Sequence, residues 1–179
     1  MVISNNCEPK SIEIFKRTFK SMSADGIYSY TAVLMGSPIL LKLFDYNEKL
    51  ASQVFGLIKN FEDIFTVNRT ESEVMDINHA AGNHPVIVSQ PVYDLIKVGK
   101  QASLIKNSAF NLAIGPLVKL WKIGFKGDKV PPADQIQEAL KKTNPNQIII
   151  DDHLMSVFLA QAGMEIDLGA IAKGYIADR

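Results

Sequence analysis

The chain has 179 residues, 47% hydrophobic and 21% charged, with 19 basic side chains against 19 acidic ones. Nothing in that balance points to a nucleic-acid surface, which needs a clustered excess of Lys and Arg; the densest basic pieces, Lys122 to Lys129 and Lys141-Lys142, are short and read as solvated loops. A single cysteine, Cys7, excludes an internal disulfide framework, and no apolar run approaches the roughly 18 residues of a membrane span.

Cys7 lies in the polar stretch Ser4-Asn5-Asn6-Cys7. It lacks the hydrophobic segment that a lipoprotein signal places upstream of its cysteine, so the chain as written is expected in the cytoplasm, the alternative being a secreted or membrane-anchored parent. Glu8 to Met22 spaces Ile12, Phe15, Phe19 and Met22 as an amphipathic helix, ended by turn residues from Ser23 to Gly26. Ile27 to Leu34 and Ile39 to Phe44 read as strands, and Met35-Gly36-Ser37-Pro38 between them reads as a hairpin turn or a bulge.

Glu48 to Phe65 carries a broad apolar stripe through Leu50, Val54, Leu57, Ile58, Phe61, Ile64 and Phe65, the clearest helix in the chain. Thr66 to Asn78 mixes hydroxyls, amides and charges and reads as a loop, followed by the extended piece His84 to Val88. Ser89 is placed to cap a helix with Pro91 in its first turn and Val92, Leu95, Ile96, Ala102 and Ile105 on its buried side. Gly115-Pro116 interrupts the apolar run from Ser108 to Trp121, which argues against a simple helix or central strand there.

Ala133 to Lys142 reads as a short helix with Ile136, Ala139 and Leu140 inward. Gln147 to Asp151 and Leu154 to Leu159 form a hairpin around Asp152-His153. Met164 to Asp167 is a buried strand that ends on a carboxylate, and a helix begins near Gly169. Helices interleaved with antiparallel-looking strands make the fold class α+β. Residues 1–26 are an N-terminal helical extension and 27–179 the domain proper.

His79, His84 and His153 are not at metal-ligand spacing and read as surface histidines. Neither the G-x-S-x-G elbow of serine hydrolases nor the G-x-G-x-x-G dinucleotide fingerprint occurs. Three pieces could hold chemistry: Met35-Gly36-Ser37, the Ser108–Trp121 string, and Asp167 to Asp178. In the last, free amides at a helix start suit a phosphate, and Asp167 suits a ribose, a flavin edge or a cation-bound water.

Together these pieces resemble the ApbE family, the FAD:protein FMN transferases once described as thiamine-biosynthesis lipoproteins. The likeness runs from about Tyr30 to the end. Asn107-Ser108-Ala109-Phe110-Asn111-Leu112-Ala113-Ile114-Gly115-Pro116-Leu117-Val118-Lys119-Leu120-Trp121 is similar to the family's G-A-F-D-x-T-x-G-P-L-x-x-L-W. Ile166-Asp167-Leu168-Gly169-Ala170-Ile171-Ala172-Lys173-Gly174-Tyr175 is similar to its D-L-G-x-x-A-K-G-Y. Met35-Gly36-Ser37, and Ser72-Glu73 with Asn78, look like the family's M-G-T and S-E-(x)-x-x-x-N.

The resemblance implies an ApbE-like, T-fold-like domain with a mixed, largely antiparallel sheet and flanking helices. It implies binding of FAD, use of Mg2+, and transfer of the FMN half to a Ser or Thr hydroxyl of an acceptor flavoprotein with release of AMP. Some members hydrolyse FAD instead. By match of position, Met35, Ala109, Phe110, Asn111, Asp167 and Lys173 would contact FAD, and Ala170 would offer Mg2+ its backbone carbonyl.

Three departures stand out: Asn111 replaces the family's Asp, Ala113 replaces its Thr, and Val67 stands where many members place a ligand-stacking aromatic. Family members also run on past the position of Arg179, where their remaining magnesium ligands lie. The chain is therefore expected to be an N-terminal portion, truncated at the C-terminus, with weak or no transfer of its own. The alternatives are a non-catalytic FAD-binding or interaction protein derived from the same fold, and a fold relative with no flavin site.

Overall fold

Tyr28, Tyr30, Thr31 and Val33, aromatic and β-branched, favour a strand over Tyr28–Leu34 (β2), and Ser37–Leu43 (β3) returns antiparallel to it, Leu34 opposite Ser37 and Tyr28 opposite Leu43. The computed structural model describes residues 19–22, 26–124, 127 and 129–179. Only Met35 and Gly36 separate the two strands, and both take positive φ, 52° and 68°. That pair of left-handed residues is what a two-residue hairpin turn needs to match strand twist, and glycine adopts it at no steric cost. The break is thus a tight turn and not a bulge.

Phe19–Met22 forms a further strand, β1, antiparallel to β2 with Met22 opposite Tyr28. This corrects the helix expected to reach Met22: cross-strand pairing overrides local periodicity in these four residues. The rest of that expected helix, and most of the turn after it, lie outside the described residues.

The chain divides into two compact units, one through Glu62 and one from Asp63 to Arg179. In the first, the helix α1 (Glu48–Phe65, its last three residues falling in the second unit) covers one face of the β1–β2–β3 sheet. Tyr30, Leu34, Ala51 and Phe55 are buried together, with Ile39, Leu41 and Ile58 packed against them. The buried stripe of α1 is therefore centred on Ala51, Phe55 and Ile58, while Leu50 and Leu57, expected inside, are exposed. The Met35 N–H donates to Glu62 Oε1 at 2.8 Å, tying the hairpin turn to the end of this unit's helix.

The second unit is built on a second antiparallel sheet, in the order β4 (Val86–Ile87), β6 (Ser156–Leu159), β5 (Ile148–Asp151). Among the described residues it is accompanied by the α-helices α2 (Glu73–His79), α3 (Gln90–Ser103), α4 (Gly115–Leu120), α5 (Ala133–Leu140) and α6 (Ala172–Ala177), and by a 3-10 turn at Pro145–Gln147. Val74, Ile77, Val92, Ile96, Leu112, Ile148, Val157, Leu159, Met164 and Ile166 are fully or almost fully buried, the core of this unit. Both units are α+β, as expected.

The residues from 73 to 79, expected as loop, form α2 because Ser72 caps it: the Ser72 Oγ accepts the Met75 N–H at 3.0 Å, and Glu73 and Asp76 sit in the first turn. Ser89 precedes α3 as expected, yet its hydroxyl makes no capping bond. Its N–H instead donates to Glu73 Oε2 at 2.6 Å, which ties α3 to α2. Gly115-Pro116 opens α4 rather than breaking it, since proline costs a helix nothing in its first turn. Ile105 and Leu140, expected inward, are exposed.

Tyr93 on α3 and Asp152 in the β5–β6 turn join these elements. The buried Tyr93 ring extends its hydroxyl to the exposed Asp152, donating to Oδ1, and Lys97 Nζ donates to the same oxygen at 2.7 Å. Desolvation, then the Asp152 carboxylate, pushes the Tyr93 phenol up to about 12. Hydrogen bonds from Lys97 and Tyr93 hold the Asp152 carboxyl below its ordinary value.

Candidate functional site

Met164 to Leu168 runs extended but belongs to neither sheet, contrary to the strand expected there. Its two edges are satisfied differently, following the two-residue period of extended chain. On one edge the Gly115 N–H donates to the Glu165 carbonyl at 3.1 Å, and the Asp167 N–H donates to the Leu112 carbonyl at 3.0 Å. On the other edge the Asn78 side chain stands in for a strand. Asn78 Oδ1 accepts the Ile166 N–H at 2.8 Å, and Nδ2 donates to the Ile166 carbonyl at 3.1 Å. The two motif strings, Asn107–Trp121 and Ile166–Tyr175, are thereby bonded together at Leu112 and Asp167.

Gly115 is required at this junction. A Cβ there would lie 2.6 Å from Glu165 Cβ and 2.7 Å from the Glu165 carbonyl oxygen, closer than any side chain tolerates.

A cavity of about 450 Å3 opens beside the junction, within the usual size range of small-molecule sites. One wall is the Val67-Asn68-Arg69-Thr70 loop; the other combines Gly115, Val118 and Lys119 of α4 with Glu165, Ile166 and Asp167. Lys122 and Ile123 complete the lining. Lys119 Nζ lies 2.6 Å from Glu165 Oε2, and Arg69 pairs with Asp63, so two of the cations lining the cavity are each matched by a carboxylate. Asp167 Oδ1 accepts the Gly169 N–H at 2.7 Å, and its other oxygen takes no hydrogen bond among the described residues.

The expected site residues distribute unequally. Asp167 lines the cavity, as does Val67. Asn111 stands one residue from Leu112, but its side chain is engaged by the fold itself: Nδ2 donates to the Thr143 carbonyl at 2.8 Å and Oδ1 accepts the Ala113 N–H at 2.9 Å. Phe110 is half-buried, with its N–H on Ser108 Oγ at 3.1 Å, and Ala109 is exposed. Ala170 lies exposed in the turn before α6, and Lys173 exposed in its first turn; neither is among the residues lining the cavity. Met35 belongs to the first unit.

The helix start is also less open than its sequence suggests. α6 begins at Ala172, and the amides of Gly169, Ile171 and Ala172 already donate to Asp167 Oδ1 and the Leu168 carbonyl. The expected free amides for a phosphate are not present at these three positions. His79, His84 and His153 are exposed, as read from sequence. Lys119 and Glu165 carry no sequence signal as cavity residues, because only the fold brings them together.

Magnesium, implied at Ala170, fits these residues poorly. Among the described residues no group of three His, Cys, Asp or Glu converges to hold a metal. A backbone carbonyl alone falls far short of the octahedral oxygen set the ion demands. No helix among them is long and apolar enough to cross a membrane.

Both motif strings thus meet at one ligand-sized cavity edged by the Asp167 carboxylate. The chain belongs to the ApbE family, whose sequence model matches residues 35–179. It is 65% identical over 158 residues to an FAD:protein FMN transferase of Klebsiella pneumoniae, covering 88% of this chain and 50% of the relative. An FAD:protein FMN transferase of Treponema pallidum is 35% identical over 164 residues, covering 85% and 45%.

The fold is similar to the crystal structure of the ApbE protein of Thermotoga maritima, with TM-score 0.76 and 29% identity, covering 86% of this chain and 50% of that one. It is similar also to the apo flavinyl transferase ApbE of Pseudomonas stutzeri, with TM-score 0.74 and 25% identity, covering 88% and 54%. The chain spans about half the length of the curated relatives it matches.

Proposed function

We propose that this chain carries the FAD-binding part of an FAD:protein FMN transferase. The observation behind the reading is the convergence of both family strings on one cavity: Gly115, Val118 and Lys119 from the first, Ile166 and Asp167 from the second. Apolar Val67, Val118 and Ile123 suit a ring system, Lys119 and Lys122 suit phosphate charge, and the uncommitted Asp167 oxygen suits a hydroxyl or ring N–H donor. Ala109, Phe110, Asn111 and Lys173 are proposed as further FAD contacts, and Met35 likewise on the family's pattern alone.

In the proposed reaction the Ser or Thr oxygen of an acceptor flavoprotein forms a P–O bond to the FMN phosphorus. The pyrophosphate bond to AMP breaks, AMP leaves, and the hydroxyl proton is released. Positioned donors and charge compensation govern such transfers. Mg2+ belongs to the family's reaction, and Ala170 is its proposed contact on the family's pattern alone; the described residues add no carboxylate or imidazole cluster to hold it.

Asn111 favours a second reading, binding of FAD without transfer. Where the family has a carboxylate this chain has a neutral amide, and both ends of that amide are already bonded internally. One experiment separates the readings. The chain is incubated with FAD, Mg2+ and a threonine-containing acceptor peptide, then assayed by mass spectrometry for an FMN adduct and by chromatography for AMP. Adduct and AMP support transfer. A rise in melting temperature with FAD but no AMP supports binding alone. Neither signal overturns both.

A further inference from the structure

The helix α2 has a cavity wall attached to each end. At its start the Ser72 hydroxyl donates to the Thr66 carbonyl at 2.5 Å, anchoring the residue just before the Val67–Thr70 loop. Near its end Asn78 holds both backbone groups of Ile166, the residue just before Asp167. Between these points Val74 and Ile77 are fully buried, and Glu73 fastens the helix to α3 through the Ser89 N–H. The helix is thus a short strut, rooted in the core, with the two walls fixed at its ends.

On this basis, and resting on the FAD-binding reading above, we infer that Asn78 is a positioning residue for the Asp167 carboxylate, setting where it meets FAD. Ile166 needs one acceptor for its N–H and one donor for its carbonyl, both from a single direction and 88 residues away in sequence. A neutral side-chain amide supplies that pair; an ionised carboxylate accepts but cannot donate, and a hydroxyl is too short to reach both. With Ile166 clamped, the Asp167 N–H stays on Leu112 and the carboxylate stays on the Gly169 N–H, leaving one oxygen for a ligand. Without the clamp, one edge of the Met164–Leu168 segment has no partner, and Asp167 loses its fixed origin.

The test is a double-mutant cycle on FAD affinity, run at a temperature where circular dichroism shows every variant folded. Asn78→Ala weakens FAD binding on the order of tenfold, and Asn78→Asp, which keeps the acceptor, weakens it less. Asn78→Ala in the Asp167→Ala background costs nothing further, because the group it positions is gone. A purely structural role for Asn78 gives additive losses and overturns the inference.

A second arm needs no FAD. In Asn78→Ala the Gly169 amide exchanges with deuterium on the order of tenfold faster, measured relative to the β6 amides, and the Asp167 carboxyl resonance moves. Unchanged Gly169 exchange and an unmoved Asp167 resonance overturn it. If the unmutated chain binds no FAD, the FAD-binding reading falls, and the exchange arm alone decides whether Asn78 positions Asp167.

Discussion

Asn78 and Ile166 are joined by two hydrogen bonds, the Asn78 amide accepting from one backbone group of Ile166 and donating to the other. Ile166 is fully buried and Asn78 only 8% exposed, so neither backbone group has water to turn to. A buried backbone group left without a partner costs about 1–3 kcal/mol. Asn78→Ala is therefore expected to destabilise the chain by on the order of 2–4 kcal/mol, read as a lower midpoint in urea unfolding.

Gly115→Ala strikes the other edge of the same segment. The added methyl group meets Glu165 Cβ and carbonyl oxygen at distances below 3 Å, and separating them strains the Gly115–Glu165 hydrogen bond. Overpacking of this kind costs about 1–3 kcal/mol. The same substitution at Gly174, where nothing lies within 4 Å, should be neutral or slightly stabilising in the same unfolding experiment, since it sits within α6.

Asn111→Asp restores the family's residue at a price in stability. Its Oδ replaces an Nδ2 donor that now lies 2.8 Å from the Thr143 carbonyl, setting two acceptors against each other. The variant should be less stable at neutral pH by about 1–3 kcal/mol. The loss should shrink on acidification, because a protonated carboxyl can again donate. A variant as stable as the parent at pH 7 would show that the Asn111–Thr143 bond contributes nothing.

The Tyr93–Asp152–Lys97 cluster predicts a pH dependence away from the site. The folded Tyr93 phenol titrates at about 12 against an ordinary 10.0, so its contribution is complete below pH 10 and is lost as pH rises towards 12. Asp152 acts with the opposite sign: its contribution is present above the ordinary carboxyl range and is lost as pH falls through its lowered value. Tyr93→Phe should remove much of the alkaline loss, measured by thermal unfolding between pH 9 and 12.

Helix α1 was legible to its end residues because eighteen residues of amphipathic spacing outweigh local noise, although Phe55, the centre of its buried face, was passed over for Leu50 and Leu57. The helix α2 was missed because it is seven residues long, yet Ser72 followed by Glu73 and Asp76 was a capping signal in plain view.

Phe19–Met22 departs from the expected helix because pairing with β2, Met22 opposite Tyr28, outweighs the helical spacing of its apolar residues. Within the site, Asp167 and Val67 were singled out from sequence and do share a cavity. The role of Asn78 was beyond reach, since its partner is backbone 88 residues on and leaves no trace in side-chain pattern. Asn111 carried a motif signal whose meaning changed once both ends of its amide were found engaged within the fold.

The central claim is that FAD occupies the cavity edged by Asp167. Its most direct test is an equilibrium titration of FAD, followed by calorimetry, with the chain, its Asp167→Ala variant and a control, Lys97→Ala on α3, a residue that does not line the cavity. The account predicts saturable one-to-one binding, weakened on the order of ten- to a hundredfold by Asp167→Ala and unchanged by Lys97→Ala. Absence of saturable binding, or unaltered affinity in Asp167→Ala, would contradict it.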